Sequence, residues 1–269
     1  MNKAAVVQMV SSANVEENFK VAEQFFRQAK DQEISLLVLP ENFALMGLNE
    51  HDKLAQAEAY ADGEMQRQLS LFAKKYGVWV IAGTLPLKAR AENKVRAASL
   101  VFDERGQCVA RYDKIHLFDV RVSQNEAHQE SGTVEPGNDC VVVDTPVGKI
   151  GLTVCYDLRF PELFRQLVLK GAELFTVPSA FTAVTGAAHW ETLLRARAIE
   201  NLCYVLASNQ GGHHQNDRHT YGHSMIIEPW GKIIAQQETE GAGMVTAAID
   251  LQRLQQLRSQ FPCNDHHVL

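Results

Sequence analysis

Three side chains in this sequence carry complementary reactivity: the carboxylate of Glu41, the ammonium of Lys114 and the thiol of Cys155. Each closely follows a run of strand-forming residues. Glu41 ends "LLVLPE", Lys114 ends "ARYDK" and Cys155 ends "GLTVC". Ligand sites in open α/β sheets lie beyond the carboxyl ends of strands, so this shared placement lets the three converge. Taken singly, each has an ordinary use as a small buried thiol, a solvated turn carboxylate or a surface ammonium. Together they make a nucleophilic apparatus. A thiol at its free pKa is only a few per cent ionised at neutral pH and needs a base or a nearby cation. A glutamate in a dry pocket is expected to have a raised pKa and to shuttle a proton to and from sulfur. A lysine there would lower the thiol's pKa and face the oxyanion formed when a carbonyl is attacked.

The elements that must position these groups alternate along the chain. "KAAVVQM" reads as a strand over 3–9, and Asn14 with Glu17 gives a capping-box-like start to a helix carrying Val15, Ala22, Phe25, Phe26 and Ala29. "ISLLVLP" is a continuous apolar run, as expected where both faces of a sheet are covered. A second helix over 63–76 places Met65, Leu69, Phe72 and Tyr76 on one stripe and ends at Gly77. Strands are expected over 78–85, 96–103 and 107–112, and the polar segment 119–139 reads as a functional loop. "CVVVDTPVGKIGLTV" reads as a hairpin turning at Pro146–Gly148. Pro161 then opens a helix that ends near Gly171. A strand over 173–178, a helix over 187–200, a strand over 203–208, a hairpin around "EPWGK" and a strand–helix pair over 244–260 complete the pattern. With no linker and no short repeat, the economical expectation is a single α/β domain over residues 1–269.

Composition narrows the function classes. A net charge of −6 argues against a nucleic-acid binder, which needs a clustered basic surface. The apolar runs fall far short of a membrane helix, and "MNKAAVVQMV" turns polar too early for a signal peptide. Five cysteines at 108, 140, 155, 203 and 263, odd in number and without a CxxC, fit free thiols in a reducing compartment. The expectation is a cytoplasmic protein. His213, His214, His219 and His223 fall in a Gly/Asn/Asp-rich stretch with no defined ligand spacing, so no metal is expected and loop polarity, substrate or subunit contact accounts for them better.

"LVLPENF", "RYDKIHLFD" and "GLTVCYDLRFPEL" occur in the order and at the separations of the nitrilase superfamily of carbon–nitrogen hydrolases, which the chain resembles from "VVQM" to the last helix. The resemblance implies a four-layer α-β-β-α sandwich, commonly paired into a dimer, with Glu41, Lys114 and Cys155 as its triad. It also implies a second glutamate in "HQESGTVEPG", which matches Glu130 rather than the neighbouring Glu126 or Glu135 and would position Lys114 and the substrate. The Tyr156 backbone N–H would help hold the oxyanion. "PSAFTAVTGAAHWETLLRARAIEN", "GGHH" and "YGHSMIIEPWGK" look like the deaminated glutathione amidase branch, close to ω-amidase. Both branches imply small carboxylated amides, hydrolysed without a cofactor through a thioester. Arg159 could supply a planar fork for such a carboxylate, with Phe181 and Thr182 lining the same pocket. The rival expectations are ω-amidase action on α-keto acid amides, a true nitrilase, or a catalytically idle binding protein on the same fold.

Overall fold

The computed structural model describes residues 1–122, 127–266 and 268. Glu126 therefore lies outside the described residues. The first half runs β1 (Lys3–Gln8), α1 (Val15–Asp31), β2 (Leu36–Leu39), α2 (Asp52–Ala55), α3 (Glu64–Tyr76), β3 (Trp79–Ala82), β4 (Leu85–Lys88), β5 (Val95–Phe102) and β6 (Cys108–Asp113). A short hairpin, β7 (Asp119–Arg121) and β8 (Ala127–Gln129), leads to β9 (Val142–Thr145), β10 (Gly148–Leu152), α4 (Pro161–Leu169), β11 (Leu174–Thr176), α5 (Ala183–Asn201) and β12 (Tyr204–Ala207). A second hairpin, β13 (Gly211–His213) and β14 (His219–Tyr221), precedes β15 (Met225–Ile227), β16 (Ile233–Gln236), β17 (Gly243–Ala248) and α6 (Leu251–Gln260).

Two sheets result. One holds β17-β1-β2-β3-β5-β4 with β6 beside β5, and the other holds β16-β15-β12-β11-β10-β9. Each is built on three parallel strands, β1-β2-β3 and β10-β11-β12. Their last residues point towards one end of the molecule. Strand alternation assigns the layers. Ala4 and Val6 of β1 belong to the core shared with the second sheet, whereas Ala5 and Val7 pack with Phe19, Phe26 and Leu69 of α1 and α3. On the far side, Phe164 and Leu167 of α4 and Trp190 and Leu194 of α5 cover the second sheet. The order is helix, sheet, sheet, helix, as expected.

The local signals behave as their chemistry predicts. The Asn14 side chain accepts the Glu17 N–H, but Glu17 itself accepts from Ser12, so only half of a capping box forms. Gly77 ends α3 at φ 67°. The single strand expected over 78–85 is two, β3 and β4, because Gly83 at φ 43° breaks the run. The segment 119–139 is less irregular than expected, since it holds the β7–β8 hairpin and a 3-10 turn at Glu130–Gly132. Helix α5 begins at Ala183, earlier than apolar spacing suggested, because the Thr182 hydroxyl caps it by accepting from Thr185 N. Hairpin β13–β14 was not foreseen, as "GGHHQNDRHTY" has the composition of a loop. Among the described residues, no helix is long and apolar enough to cross a membrane.

Candidate active site

Cys155 follows β10 at a sharp turn into the 3-10 helix Cys155–Arg159. Its φ of 49° lies in the left-handed region, where a side chain is strained and persists only if its surroundings hold it. They do so through several bonds. The Cys155 N–H donates to Pro178 O at 2.9 Å. The fully buried Asp157 accepts from Val154 N (2.8 Å), Tyr112 Oη (2.7 Å) and His116 N (3.0 Å). Arg197 of α5 donates from Nε and Nη2 to Leu158 O at 3.1 and 2.9 Å. The turn that presents the thiol is thus tied to the end of β6 and to α5.

Lys114 directly follows β6, is 2% exposed, and donates from Nζ to Glu41 Oε1 at 2.8 Å. It also donates to Glu130 Oε1 and Oε2 at 3.0 and 2.8 Å. Glu130 is held in turn by Phe118 N, which donates to its Oε2 at 2.7 Å. Glu41 follows β2 through Pro40 and is buried. Its main-chain carbonyl accepts from Gln210 Nε2 at 2.9 Å, while Ser208 Oγ donates to Leu39 O at 2.9 Å. The second sheet therefore pins the end of the strand that carries Glu41. The Glu41 carboxylate and the Cys155 thiol line the same cavity, and each shifts the other's protonation. Glu135, one of the two alternatives to Glu130, pairs with Arg96 instead.

The electrostatics correct one expectation. Burial pushes Glu41 up, yet the Lys114 charge and hydrogen bond, with a further bond from Cys155, outweigh it and hold the carboxyl below its ordinary value. Burial favours neutral Lys114, but Glu130 and Glu41 raise it well above the ordinary value. Burial and the Glu41 charge push Cys155 far up, and the opposing pull of Lys114 does not prevail. The resting site is a carboxylate, an ammonium and a neutral thiol. Glu41 is a ready base rather than a raised acid, because the cation is in direct contact with it.

These groups open into a cavity of about 290 Å³, near the small end of ligand pockets. Glu41, Lys114, Glu130, Cys155, Tyr156, Phe181 and Thr182 all line it. Phe181 packs on Trp190 with ring centres 4.9 Å apart, and Tyr156 meets Phe118 edge-on at 5.1 Å. Arg159 is absent from the lining. Its guanidinium lies 5.8 Å from the Tyr156 ring centre and 5.6 Å from that of Phe181, beside His189. Both rings line the cavity, and the Arg159 guanidinium lies beside them. The arginine that does line the cavity is Arg218, which sequence reading passed over in a stretch noticed for its histidines.

The histidines themselves separate. His214 is buried, with Nδ1 on Ser11 O (2.9 Å) and Nε2 on Thr220 Oγ1 (2.8 Å). Burial pushes its pKa down. His223 stacks on Tyr221. His213 and His219 face each other across the hairpin, with His219 Nε2 2.7 Å from Glu240 Oε1. These three groups bring one ligand atom each within 4.8 Å of one another. The two imidazoles are nearly parallel, 14° apart, so their in-plane lone pairs do not converge on one point. None of the four histidines lines the cavity.

Comparison with known proteins agrees with this geometry. Residues 3–259 match the family model for carbon–nitrogen hydrolase. The chain is 43% identical over 265 residues to a deaminated glutathione amidase of Yersinia enterocolitica, covering 98% of this chain and 92% of that protein. It is 41% identical to the deaminated glutathione amidase of Mus musculus, covering 97% and 82%. Among solved structures, the nitrilase and fragile histidine triad fusion protein of Caenorhabditis elegans superposes with a TM-score of 0.92 at 40% identity, covering 99% of this chain and 65% of the fusion. A Saccharomyces cerevisiae member of branch 10 of the nitrilase superfamily gives 0.86 at 32%, covering 97% and 94%. Family model, relatives and fold coincide on one assignment: the chain belongs to the carbon–nitrogen hydrolase family of the nitrilase superfamily.

Proposed function

We propose that this hydrolase is a cofactor-independent amidase for a small carboxylated amide, with deaminated glutathione as its substrate. The observation that carries the mechanism is the buried Lys114 ammonium bridging Glu41 and Glu130 in the cavity that holds Cys155. As Cys155 Sγ bonds to the amide carbonyl carbon, Glu41 takes the thiol proton. The negative charge that develops on the carbonyl oxygen meets Lys114 and the Tyr156 N–H, since the Cys155 N–H is already committed to Pro178. Glu41 returns the proton to nitrogen as the C–N bond breaks, leaving a thioester. Glu41 then deprotonates water, which attacks the thioester and releases the acid and the thiol. Glu130 positions Lys114. The substrate choice is supported by the 41–43% identity to relatives bearing that name.

A cytoplasmic setting is supported by five free cysteines, of which Cys108 is exposed. We take the chain as one domain acting as a homodimer or larger homo-oligomer. Purified protein should release the acyl product from deaminated glutathione, with an acyl adduct detectable on Cys155 by mass. Cys155→Ala should abolish both while leaving the melting temperature unchanged. Turnover by that variant within about tenfold of wild type would overturn the assignment. Faster ammonia release from α-ketoglutaramate than cleavage of deaminated glutathione would move the substrate to the ω-amidase class.

A further inference from the structure

Arg218 is held over the cavity by its loop. Its N–H donates to Asn216 Oδ1 at 3.2 Å, and Asn216 Nδ2 donates to Gly47 O at 2.7 Å, joining hairpin β13–β14 to the segment that follows Glu41. The side chain lines the same cavity as Glu41 and Cys155. A guanidinium carries five N–H donors in a rigid fork. Here Nη1 reaches only the weak acceptor Met46 Sδ, at 3.9 Å, and the buried Nε has no partner among the described residues. No carboxylate comes within 4.0 Å of it there. Glu50, close enough to feel its charge, is taken by Lys53 at 2.6 Å. Glu41 and Glu130 are both committed to Lys114.

Arg218 is half-buried, but its Nε is buried, and a buried donor without an acceptor costs stability. Such a group is retained where a ligand completes it. We infer that Arg218, not Arg159, binds a carboxylate of the substrate and so sets which amides reach Cys155. This rests on the amidase reading and gives its substrate class a physical source. The cavity's two lysines, Lys53 and Lys114, are already paired with carboxylates. A carboxylate forked onto Arg218 through two N–H···O bonds fixes both the position and the orientation of the acyl chain.

The test compares wild type with Arg218→Gln and Arg218→Lys. For each, kcat/KM is measured on α-ketoglutaramate and on its neutral counterpart, in which the carboxylate is a carboxamide. The ratio of the two should fall about 10- to 100-fold in Arg218→Gln, with KM carrying the change. Arg218→Lys keeps the charge without the fork and should recover only part of it. An unchanged ratio, or an equal loss of kcat on both amides, would overturn the inference. Deaminated glutathione separates two sources of carboxylate. Equal loss on it and on α-ketoglutaramate assigns the acyl side, whereas loss confined to it, with the ratio unchanged, places the carboxylate on the departing amine and overturns the acyl-side inference. Calorimetric titration with α-ketoglutarate gives a readout independent of turnover. Binding by wild type that weakens 10- to 100-fold in Arg218→Gln supports the site even if no carboxylated amide is hydrolysed. Absence of binding by wild type overturns it even if the amidase reading stands.

Discussion

The thiol of Cys155 and the carboxylate of Glu41 share one proton, and its resting place decides how the nucleophile works. Burial and Glu41 push Cys155 up, while Lys114 holds Glu41 down, so the proton rests on sulfur. Thiolate absorbance attributable to Cys155, taken as the difference from Cys155→Ser, should therefore be absent at pH 7. It should appear only above the range of a free thiol, about 8.5. Glu41→Gln removes a negative neighbour that raises the thiol, so the thiolate should form at lower pH than in wild type. Hydrolysis should nevertheless fall about 10²- to 10⁴-fold, because the base is gone. A Glu41→Gln enzyme that gained thiolate and kept its rate would show that Glu41 only tunes sulfur. The linkage signs follow from the same directions. Glu41, depressed in the folded state, contributes stability that is present above its unfolded value and lost as pH falls through its folded one. Lys114, raised, contributes stability present below its unfolded value and lost as pH rises through the folded one.

At the scale of elements, what matters is how closely a strand end can be approached. Gly83 sits at φ 43° just past β3, and a Cβ there would lie 1.9 Å from Pro40 O, the carbonyl preceding Glu41. Gly77, at φ 67°, would place a Cβ in open space. Both carry the left-handed penalty for alanine, about 1–2 kcal/mol, but only Gly83 adds a backbone collision in a packed interior. Gly83→Ala should lower the melting temperature by about twice as much as Gly77→Ala, or more. It should also reduce kcat by displacing Glu41, whereas Gly77→Ala should lose stability alone. Equal losses from the two would remove Gly83 from any role in placing the base. The same contrast explains how far sequence reading could go. Capping at Asn14 and Gly77, the apolar stripe of α1 and the Pro146–Gly148 hairpin turn depend on near neighbours and are legible along the chain. The placement of Glu41, Lys114 and Cys155 was legible because each stands just past a strand. Arg218 was not, since its meaning lies in what fails to contact it, and chain proximity to Cys155 did not show that Arg159 lies outside the cavity lining, beside the Tyr156 and Phe181 rings.

At the scale of the whole molecule, the outer helical layers decide what the sandwich presents to other molecules. The layer formed by α5, the turn between β15 and β16, and the end of α6 carries three large apolar side chains in the open. Ile199, Trp230 and Phe261 are 47%, 58% and 51% exposed. They are adjacent: Trp230 meets Phe261 edge-on at 5.6 Å, and the Ile199 side chain lies against Gly231. Scattered single apolar residues are ordinary on a surface, but a contiguous group with two aromatic rings is the kind of face on which to test for a protein contact. Aromatic residues are also enriched at interface centres. The face is distant in sequence from Glu41 and Lys114, and it is borne by the helix whose Arg197 grips Leu158 behind Cys155. A homodimer paired through it would extend the sandwich and brace the nucleophile turn from outside. Sedimentation should then give a dimer for wild type and a shift towards monomer for the double substitution of Trp230 and Phe261 by aspartate. Two uncompensated carboxylates set into a desolvated interface centre cost about several kcal/mol, enough to change the dimer's dissociation constant by about 10²-fold or more. Because α5 also supports Cys155, the monomeric variant should show a lower kcat along with its changed mass. A variant that stayed dimeric would place the contact on another face, and one that became monomeric at full kcat would separate assembly from catalysis.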